Sequence, residues 1–449
     1  MKVSMIGTGY VGLVTGVCLA EKGHQVVCVD IDQEKIAKIK QAIPPIYERG
    51  LEELLKKNIN GNLRATTDLY RSVIDTDISL IAVGTPFNGS EIDLTYVKQA
   101  AHQIGQALQD KPSYHVVVVK STVVPGTTDD VVRPILEESS GKNAGADFGV
   151  GMNPEFLREG EAIQDFMFPD RIVIGGIDDK TIDTLKELYS VFEGIDQLRT
   201  NNRTAEMIKY ASNSLLATMI SFSNEIGNLC AAIGGIDVVD VMTGVHLDKR
   251  ISPIMPDGSR IVPAFTTYLE AGCGFGGSCF PKDVKALIAH GGKFGQPMQL
   301  LDAVIRVNER QPQQVLSLLK KRFPSLKGVC IAVLGLAFKP GTDDMRESPA
   351  IPIVKELLAQ QAGIKAYDPV AKHEARKLFG NRQIVYCDDL AQTLENVQAV
   401  LLLTRWEEFR RIPELLARLH PQPLVIDGRR MLDKRSIARY EGIGLREVA

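Results

Sequence analysis

The ten residues Gly274-Phe275-Gly276-Gly277-Ser278-Cys279-Phe280-Pro281-Lys282-Asp283 set one cysteine between a glycine run and a proline-started segment. Lys282 to Ala289 reads as a helix, which puts the Cys279 thiol near a helix N-terminus, where the dipole favours thiolate. Asp283 follows four residues on, and Lys282 lies beside it. Glycines at 274, 276 and 277 remove side chains and would let a bulky ligand come close. Most free cysteines are buried and inert, so this stretch by itself allows either a nucleophile or a packed thiol. Cys273 has the same glycine neighbours without the helix start.

A second group of residues could hold a phosphate. Val3 to Ile6 reads as a buried strand that runs into Gly7-Thr8-Gly9-Tyr10-Val11-Gly12 and an apolar helix through Ala20. Gln25 to Val29 is the next strand and ends on Asp30. Strand, glycine turn, helix, strand, acid is the order of a dinucleotide fingerprint: the turn admits a pyrophosphate to the helix N-terminus, and the acid accepts the ribose hydroxyls. An acid at that position disfavours a 2′-phosphate, so NAD is expected rather than NADP.

These groups need a scaffold, and the rest of the chain supplies one. Asp77 to Val83 and His115 to Lys120 read as strands ending in Gly84-Thr85-Pro86 and Ser121-Thr122. In a parallel sheet, ligands gather beyond such ends, although hydroxyl residues also serve as turn and cap residues there. Asn153-Pro154 reads as a helix start that would put Glu155 and Glu159 on one face, either as paired carboxylates for base work or as charges favoured at a helix N-terminus. Asp170 to Gly175 is a further strand, read as completing the first domain. A long helix is expected over Thr204 to Ile233, with Ile208, Ala211, Leu215, Met219, Phe222, Ile226, Leu229 and Ile233 forming a one-sided apolar stripe suited to spanning lobes or to a subunit interface. Lys209 and Asn213 share another face, where a lysine is ordinarily solvated.

Ser252 to Pro263 is a loop by its prolines and glycine. Gln311 to Gly328 reads as a short helix and connector at a domain boundary. Val329 to Leu334, Lys365 to Asp368, Ala399 to Thr404 and Leu424 to Asp427 repeat the strand pattern of the first lobe but lack a full glycine fingerprint. This second lobe should bind something other than an intact dinucleotide. Lys339 and Arg346 flank Pro340-Gly341-Thr342-Asp343-Asp344 and could grip a diphosphate or form a surface charge pair. The expected fold class is therefore α/β: two doubly wound Rossmann-like domains joined by a long central helix, to which the family resemblance given below adds a helical dimerisation region.

Composition bounds the partners. With 52 basic and 55 acidic residues the net charge is −3, so there is no overall attraction to nucleic acid or an anionic membrane. No run approaches the ~18 apolar residues of a membrane span. The seven cysteines are scattered, with no Cys-x-x-Cys pair, which argues against a disulfide framework or a structural zinc site; no metal is expected. The segment Met1–Gly7 has neither the charged lead nor the long apolar core of a signal peptide, and a reducing cytoplasm is the expected setting.

Taken together, GTGYVG at 7–12, VGTP at 83–86, KST at 120–122, NPEFLREG at 153–160, EMIKYASN at 206–213, GFGGSCFPKD at 274–283 and GLAFKPGTDDMRESP at 335–349 make the chain resemble the UDP-glucose 6-dehydrogenase family, within the wider nucleotide-sugar dehydrogenases. The resemblance runs nearly end to end. It implies an NAD-binding domain over 1–200, a central helical dimerisation domain over 201–310 and a UDP-sugar-binding domain over 311–449. It also implies a four-electron oxidation of UDP-glucose to UDP-glucuronate, with Cys279 forming a thiohemiacetal and then a thioester. Lys209 and Asn213 would stabilise the oxyanion, Asp283 and Thr122 would position water and protons, and Glu155 or Glu159 would act as base in hydrolysis.

Residues carried over to the cofactor are Gly7, Gly9, Tyr10, Val11, Gly12, Asp30 and Lys35 in the first strands, with Gly84, Thr85, Thr122, Glu159, Lys282 and Arg346 beyond them. The substrate would meet Glu155, Phe156, Leu157, Lys209, Asn213, Tyr268, Gly276, Cys279, Phe338 and Lys339, with Lys339, Tyr268 and also Arg346 at the UDP, together with Arg250 contributed across a homodimer or higher homo-oligomer. The chain departs from the family pattern in having Ser252 where a glycine is usual, a longer loop up to Tyr268, and Glu270 where a basic residue is common. The stretch from Ser139 to Gly151 resembles the GDP-mannose 6-dehydrogenase branch, which makes that enzyme the rival expectation. A two-electron hydroxyacid dehydrogenase and a non-catalytic nucleotide-sugar-sensing scaffold are the remaining alternatives.

Overall fold

The computed structural model describes residues 1–381 and 383–446, so the last three residues of the range 311–449 lie outside the described residues. The chain divides into two compact units, Met1–Ser212 and Asn213–Ala449.

The first unit is built on an eight-stranded sheet. Its strands are β1 (Lys2–Ile6), β2 (Gln25–Val29), β3 (Leu63–Thr66), β4 (Ile78–Ile81), β5 (His115–Val119), β6 (Phe148–Met152), β7 (Arg171–Gly176) and β8 (Asp196–Thr200), in the order β3-β2-β1-β4-β5-β6-β7-β8. All neighbours are parallel except β6 and β7. The central strands are fully buried runs of Val, Ile and Leu, as expected of a parallel sheet covered on both faces. Register sets Ile6 beside Val29 and Ile81, Ile81 beside Val119, and Val119 beside Met152. Gly7, Asp30, Lys120 and Asn153 therefore leave the sheet at one edge, where ligands of this architecture collect. The sheet does not end at β7. The sequence pattern misses β8 because Asp-Gln-Leu-Arg-Thr is a mostly exposed edge strand with one large aliphatic residue.

Helix α1 (Tyr10–Glu21) follows the glycine turn, and helix α2 (Asn202–Ile233) leaves the first unit and continues into the second. The apolar stripe expected on α2 exists, but much of it faces outward: Leu215, Phe222, Leu229 and Ile233 are 61%, 48%, 55% and 62% exposed. The inward face carries small and polar residues, among them Ala205, Ala217, Ser221, Asn224 and Gly227.

The second unit holds a six-stranded, wholly parallel sheet of β9 (Cys330–Leu334), β10 (Gly363–Tyr367), β11 (Ile384–Tyr386), β12 (Ala399–Leu402), β13 (Leu424–Asp427) and β14 (Tyr440–Gly442), ordered β11-β10-β9-β12-β13-β14. Helices α3 (Phe280–Lys293) and α4 (Gln299–Arg322) belong to this unit. The short helix and connector read at 311–328 is corrected here. Gln311 and Pro312 lie inside α4, a continuous helix of 24 residues. The helix runs through Pro312 because the buried face Val304, Gln311, Val315, Leu318 and Leu319 holds it together. The segment Asn153–Arg158 is likewise not a helix start, and the next helix begins at Ala162. Asn153 spends its side chain on Lys120 and the Val173 carbonyl instead of capping.

Candidate active site

In the first unit Gly7 adopts φ +100°, and a methyl group there would lie 2.6 Å from the Ala82 carbonyl oxygen. A methyl on Gly12 would lie 2.0 Å from the Gly7 carbonyl oxygen, so the third glycine lets α1 pack against its own turn. Gly9, the N-cap of α1, has open space where its side chain would be. Asp30 accepts hydrogen bonds from the Thr8 N–H (2.8 Å) and hydroxyl (2.7 Å) and from the Asp32 N–H (3.0 Å). Burial would raise its pKa, but these bonds and nearby Lys35 hold it below the usual carboxylate range. Lys35 itself pairs loosely with Asp32 at 3.9 Å. A glycine cradle with an open side at a helix N-terminus, beside an ionised acid, fits a dinucleotide.

Other expected cofactor residues have structural partners. Tyr10 donates its hydroxyl to Glu48 and accepts from the Gly160 N–H, while Glu48 also accepts from the Gly160 and Ala162 N–H groups. Tyr10 and Glu48 thus hold the loop that carries Glu159. Val11 is half-buried against the core, and Gly84 is exposed with free space around it. Thr85 donates to the Thr122 carbonyl at 2.8 Å, so its hydroxyl ties two strand ends together, while Thr122 is half-buried.

Glu155 and Lys209 form a buried ion pair at 2.9 Å, with side chains 5% and 4% exposed. This overturns the solvated reading of Lys209: helix periodicity reports the face a residue occupies, not what packs on that face. Burial pushes the Glu155 pKa up. The Lys209 ammonium, the Leu157 N–H and Lys120 outweigh that and hold it below the usual range. Glu155 and Glu159 do not share a helical face, since no helix forms there. Phe156 lies under the Arg171 guanidinium at 4.0 Å from the ring centroid, and the Lys209 ammonium is 5.5 Å away. Leu157, half-buried, donates its N–H to Glu155 at 2.6 Å.

Two buried groups in this unit escaped the sequence reading. Lys120, 3% exposed, donates to Asn153 at 2.8 Å, and burial, aided by Lys209, brings its pKa down to about 8. Glu206 accepts from the Gly126 N–H (2.6 Å) and from the Thr128 N–H (2.8 Å) and hydroxyl (2.6 Å). Burial outweighs these bonds and lifts its pKa to about 7. Both residues open stretches that resemble the family, KST at 120–122 and EMIKYASN at 206–213, and Glu206 lies three residues before Lys209 on α2.

In the second unit Cys279 is the N-cap residue of α3, its carbonyl accepting from the Asp283 N–H at 2.8 Å. Its thiol is partly exposed, with the Ser278 hydroxyl 3.7 Å away. Asp283, 1% exposed, accepts from Asn213 at 2.6 Å and pairs with Lys282 at 2.5 Å. Tyr268 and Phe275 stack toward Phe280, next to Cys279, at ring separations of 6.3 and 5.9 Å.

The glycines of this loop serve packing rather than an open approach for ligand. A methyl on Gly276 would lie 2.2 Å from the Glu347 carbonyl oxygen, and one on Gly277 (φ +85°) 2.7 Å from the Phe338 ring. One on Gly274 (φ +101°) would lie 2.8 Å from Asn308. Arg346 is 63% exposed and bound in bidentate fashion to Asp344 (2.9 and 2.7 Å), so the turn holds a local charge pair; its carbonyl accepts from the Gly277 N–H at 2.8 Å. Lys339 is half-buried, directly after Phe338. Arg250 is 85% exposed and paired with Asp248. The long loop is tied back by Arg260, which donates to the Leu247 and Ser252 carbonyls. Glu270, where a basic residue is common, pairs with Arg405.

None of the seven cysteines is in a disulfide, no group of metal-ligating side chains comes together among the described residues, and no described helix is long and apolar enough to cross a membrane. Two mainly parallel sheets, the first carrying a glycine turn with an acid at the next strand end, define a class: the Rossmann-type dinucleotide-binding proteins. Comparison with known proteins agrees. Models of the UDP-glucose/GDP-mannose dehydrogenase family match residues 1–193 (NAD binding domain), 203–310 (central domain) and 332–434 (UDP binding domain). The chain belongs to the UDP-glucose/GDP-mannose dehydrogenase family.

It is 43% identical to the UDP-glucose 6-dehydrogenase AglM of Haloferax volcanii, over 99% of this chain and 100% of that one. The structure of a UDP-glucose dehydrogenase from Pyrobaculum islandicum superposes with a TM-score of 0.89 at 39% identity, covering 99% of this chain and 98% of that one. A GDP-mannose dehydrogenase from Pseudomonas aeruginosa is similar at 36% identity and TM-score 0.55, covering 99% and 100%.

Proposed function

We propose that this protein is an NAD-dependent UDP-glucose 6-dehydrogenase that oxidises C6 of the sugar from alcohol to carboxylate. The observation that carries this reading is the Cys279 thiol on the N-terminus of α3, with the Asn213–Asp283 contact within the same first turn. Full-length similarity to UDP-glucose 6-dehydrogenases supports UDP-glucose over a GDP sugar.

The glycine turn at Gly7, Gly9 and Gly12 and the Asp30 carboxylate would hold NAD, which would supply the hydride acceptor for both oxidations. Cys279 adds to the C6 aldehyde as a thiohemiacetal and carries the acyl group as a thioester, so no aldehyde need be released. Lys209 and Asn213 stabilise negative charge on the C6 oxygen. Asp283 and Thr122 order water and protons, and Glu155 and Glu159 are the carboxylates available to the hydrolytic water. The ion pair with Lys209 keeps Glu155 ionised and lowers its proton affinity. Lys339, Arg346, Tyr268 and Phe338 receive the UDP sugar, with Arg346 exchanging Asp344 for phosphate oxygens.

The NAD part is 1–200, the central region 201–310 and the UDP part 311–449, the last boundary falling within α4. The outward stripe on α2, with Leu215, Phe222 and Leu229 seven residues apart, supports a homodimer through a second copy of this helix. Unbridged cysteines suit a cytoplasmic setting.

The test is NADH formed per sugar consumed, with UDP-glucose and GDP-mannose offered separately. Two NADH per UDP-glucose and none from GDP-mannose supports the reading. One NADH per sugar, or turnover of GDP-mannose alone, overturns it. Undiminished turnover by Cys279→Ser, with one NADH per sugar, would point instead to a two-electron dehydrogenase.

A further inference from the structure

The loop that delivers Cys279 is buried from Ala271 to Gly277, yet it forms no helix or strand. Buried peptide groups need partners, and here side-chain amides supply several of them. Asn224 on α2 accepts from the Gly272 N–H at 2.7 Å, and Gln311 on α4 donates to the Gly272 carbonyl at 3.0 Å. Asn308, one turn earlier on α4, accepts from the Phe275 N–H at 2.8 Å and donates to the Phe275 carbonyl at 2.9 Å.

A single amide that meets both polar groups of one residue fixes that residue in position and orientation, as strand pairing would. Phe275 lies four residues before Cys279, and its ring meets Phe280, the residue after Cys279, at 5.9 Å. Between them Gly276 and Gly277 are fitted against the Glu347 carbonyl and the Phe338 ring. The segment is held on both sides of the thiol, and Asn308 holds the upstream side through two hydrogen bonds. Gly274 is fitted to the same side chain, 2.8 Å from where its methyl would be.

We infer that Asn308 is a positioning residue for the reaction: its amide pair with Phe275 sets where the Cys279 sulfur stands. The inference rests on Cys279 being the nucleophile. Misplacement of a reacting atom by about 1 Å costs on the order of 100-fold in rate without a matching loss of substrate affinity.

The experiment compares Asn308→Ala and Asn308→Asp with the parent enzyme and with Cys279→Ala. Asn308→Asp keeps the volume and the acceptor for the Phe275 N–H but sets a carboxylate oxygen against the Phe275 carbonyl. Kinetics with UDP-glucose and NAD are read together with the rate at which iodoacetamide alkylates Cys279, followed by peptide mass spectrometry. The expected result is a fall in kcat of roughly 10- to 100-fold in both variants. KM values should stay within about threefold, and alkylation should be faster as the loop loosens. Wild-type kcat and alkylation in folded variants overturns the inference. So does failure of either variant to fold, which would make Asn308 a structural residue only. Full turnover by Cys279→Ala would strike instead at the nucleophile reading, independently of what the Asn308 variants do.

Discussion

Replacing Lys209 by alanine removes one partner of the buried 2.9 Å pair and leaves Glu155 in a site where both side chains are about 5% exposed. Breaking a buried pair on one side costs about 3–5 kcal/mol, because the remaining charge is desolvated without compensation. Lys120 still faces Glu155, which favours the lower end. The loss should depend on pH. In the parent enzyme the Glu155 pKa is depressed, so its contribution is present above the unfolded carboxylate pKa of about 4.3 and is constant between pH 5.5 and 8.

Without Lys209, burial dominates and the folded pKa rises above the unfolded one. Glu155 then takes up a proton at low pH, and stability is lost as pH rises, by up to about 1.4 kcal/mol per pH unit. Scanning calorimetry at pH 5.5 and 8 reads this. For a unit of 212 residues, 1 kcal/mol corresponds to about 2–4 °C in Tm, so a loss near the lower end, about 3 kcal/mol, lowers Tm at pH 8 by about 6–12 °C and by clearly less at pH 5.5. Adding Glu155→Gln should recover part of it. A Tm within about 2 °C of the parent, or an equal drop at both pH values, would refute the reasoning.

Three further outcomes are expected. Glu206, with its folded pKa near 7, favours folding below the unfolded carboxylate pKa and loses that contribution as pH rises through 7. Glu206→Gln should therefore flatten the fall in stability between pH 5 and 8 by about 3 kcal/mol, measured by denaturant titration. Gly276→Ala places a methyl group 2.2 Å from the Glu347 carbonyl oxygen; it should cost about 1–3 kcal/mol and abolish most turnover, seen by thermal melts and NADH production. Phe222→Glu, at a side chain 48% exposed on α2, should turn a homodimer into a monomer in light scattering; an unchanged mass would remove α2 as the interface.

The glycine turn with Asp30 and the helix start at Cys279 were largely legible in the sequence because each is local. Gly7, Gly9 and Gly12 with Asp30 make a turn whose geometry follows from residue type and spacing. Cys279 gains its helix N-terminus from Pro281 and the residues just after it. What lies across the fold was not legible. Periodicity put Lys209 off the apolar stripe and suggested solvent; the packed structure buries it on Glu155, 54 residues away in sequence. The same periodicity drew an apolar stripe on α2, and the fold turns much of it outward because small and polar residues on the other face allow close packing.

The stretch 311–328 suggested a short helix and a boundary, but tertiary burial carries α4 through Gln311 and Pro312. The glycines before Cys279 looked like room for a ligand and prove to be fitted against Glu347, Phe338 and Asn308. By itself the sequence determined the parallel sheets, the dinucleotide turn and the thiol, since these follow from short-range sterics and hydrogen bonding. Only the tertiary structure decided which charges are paired and what holds the thiol in place, because burial and desolvation are set by residues far away in the chain.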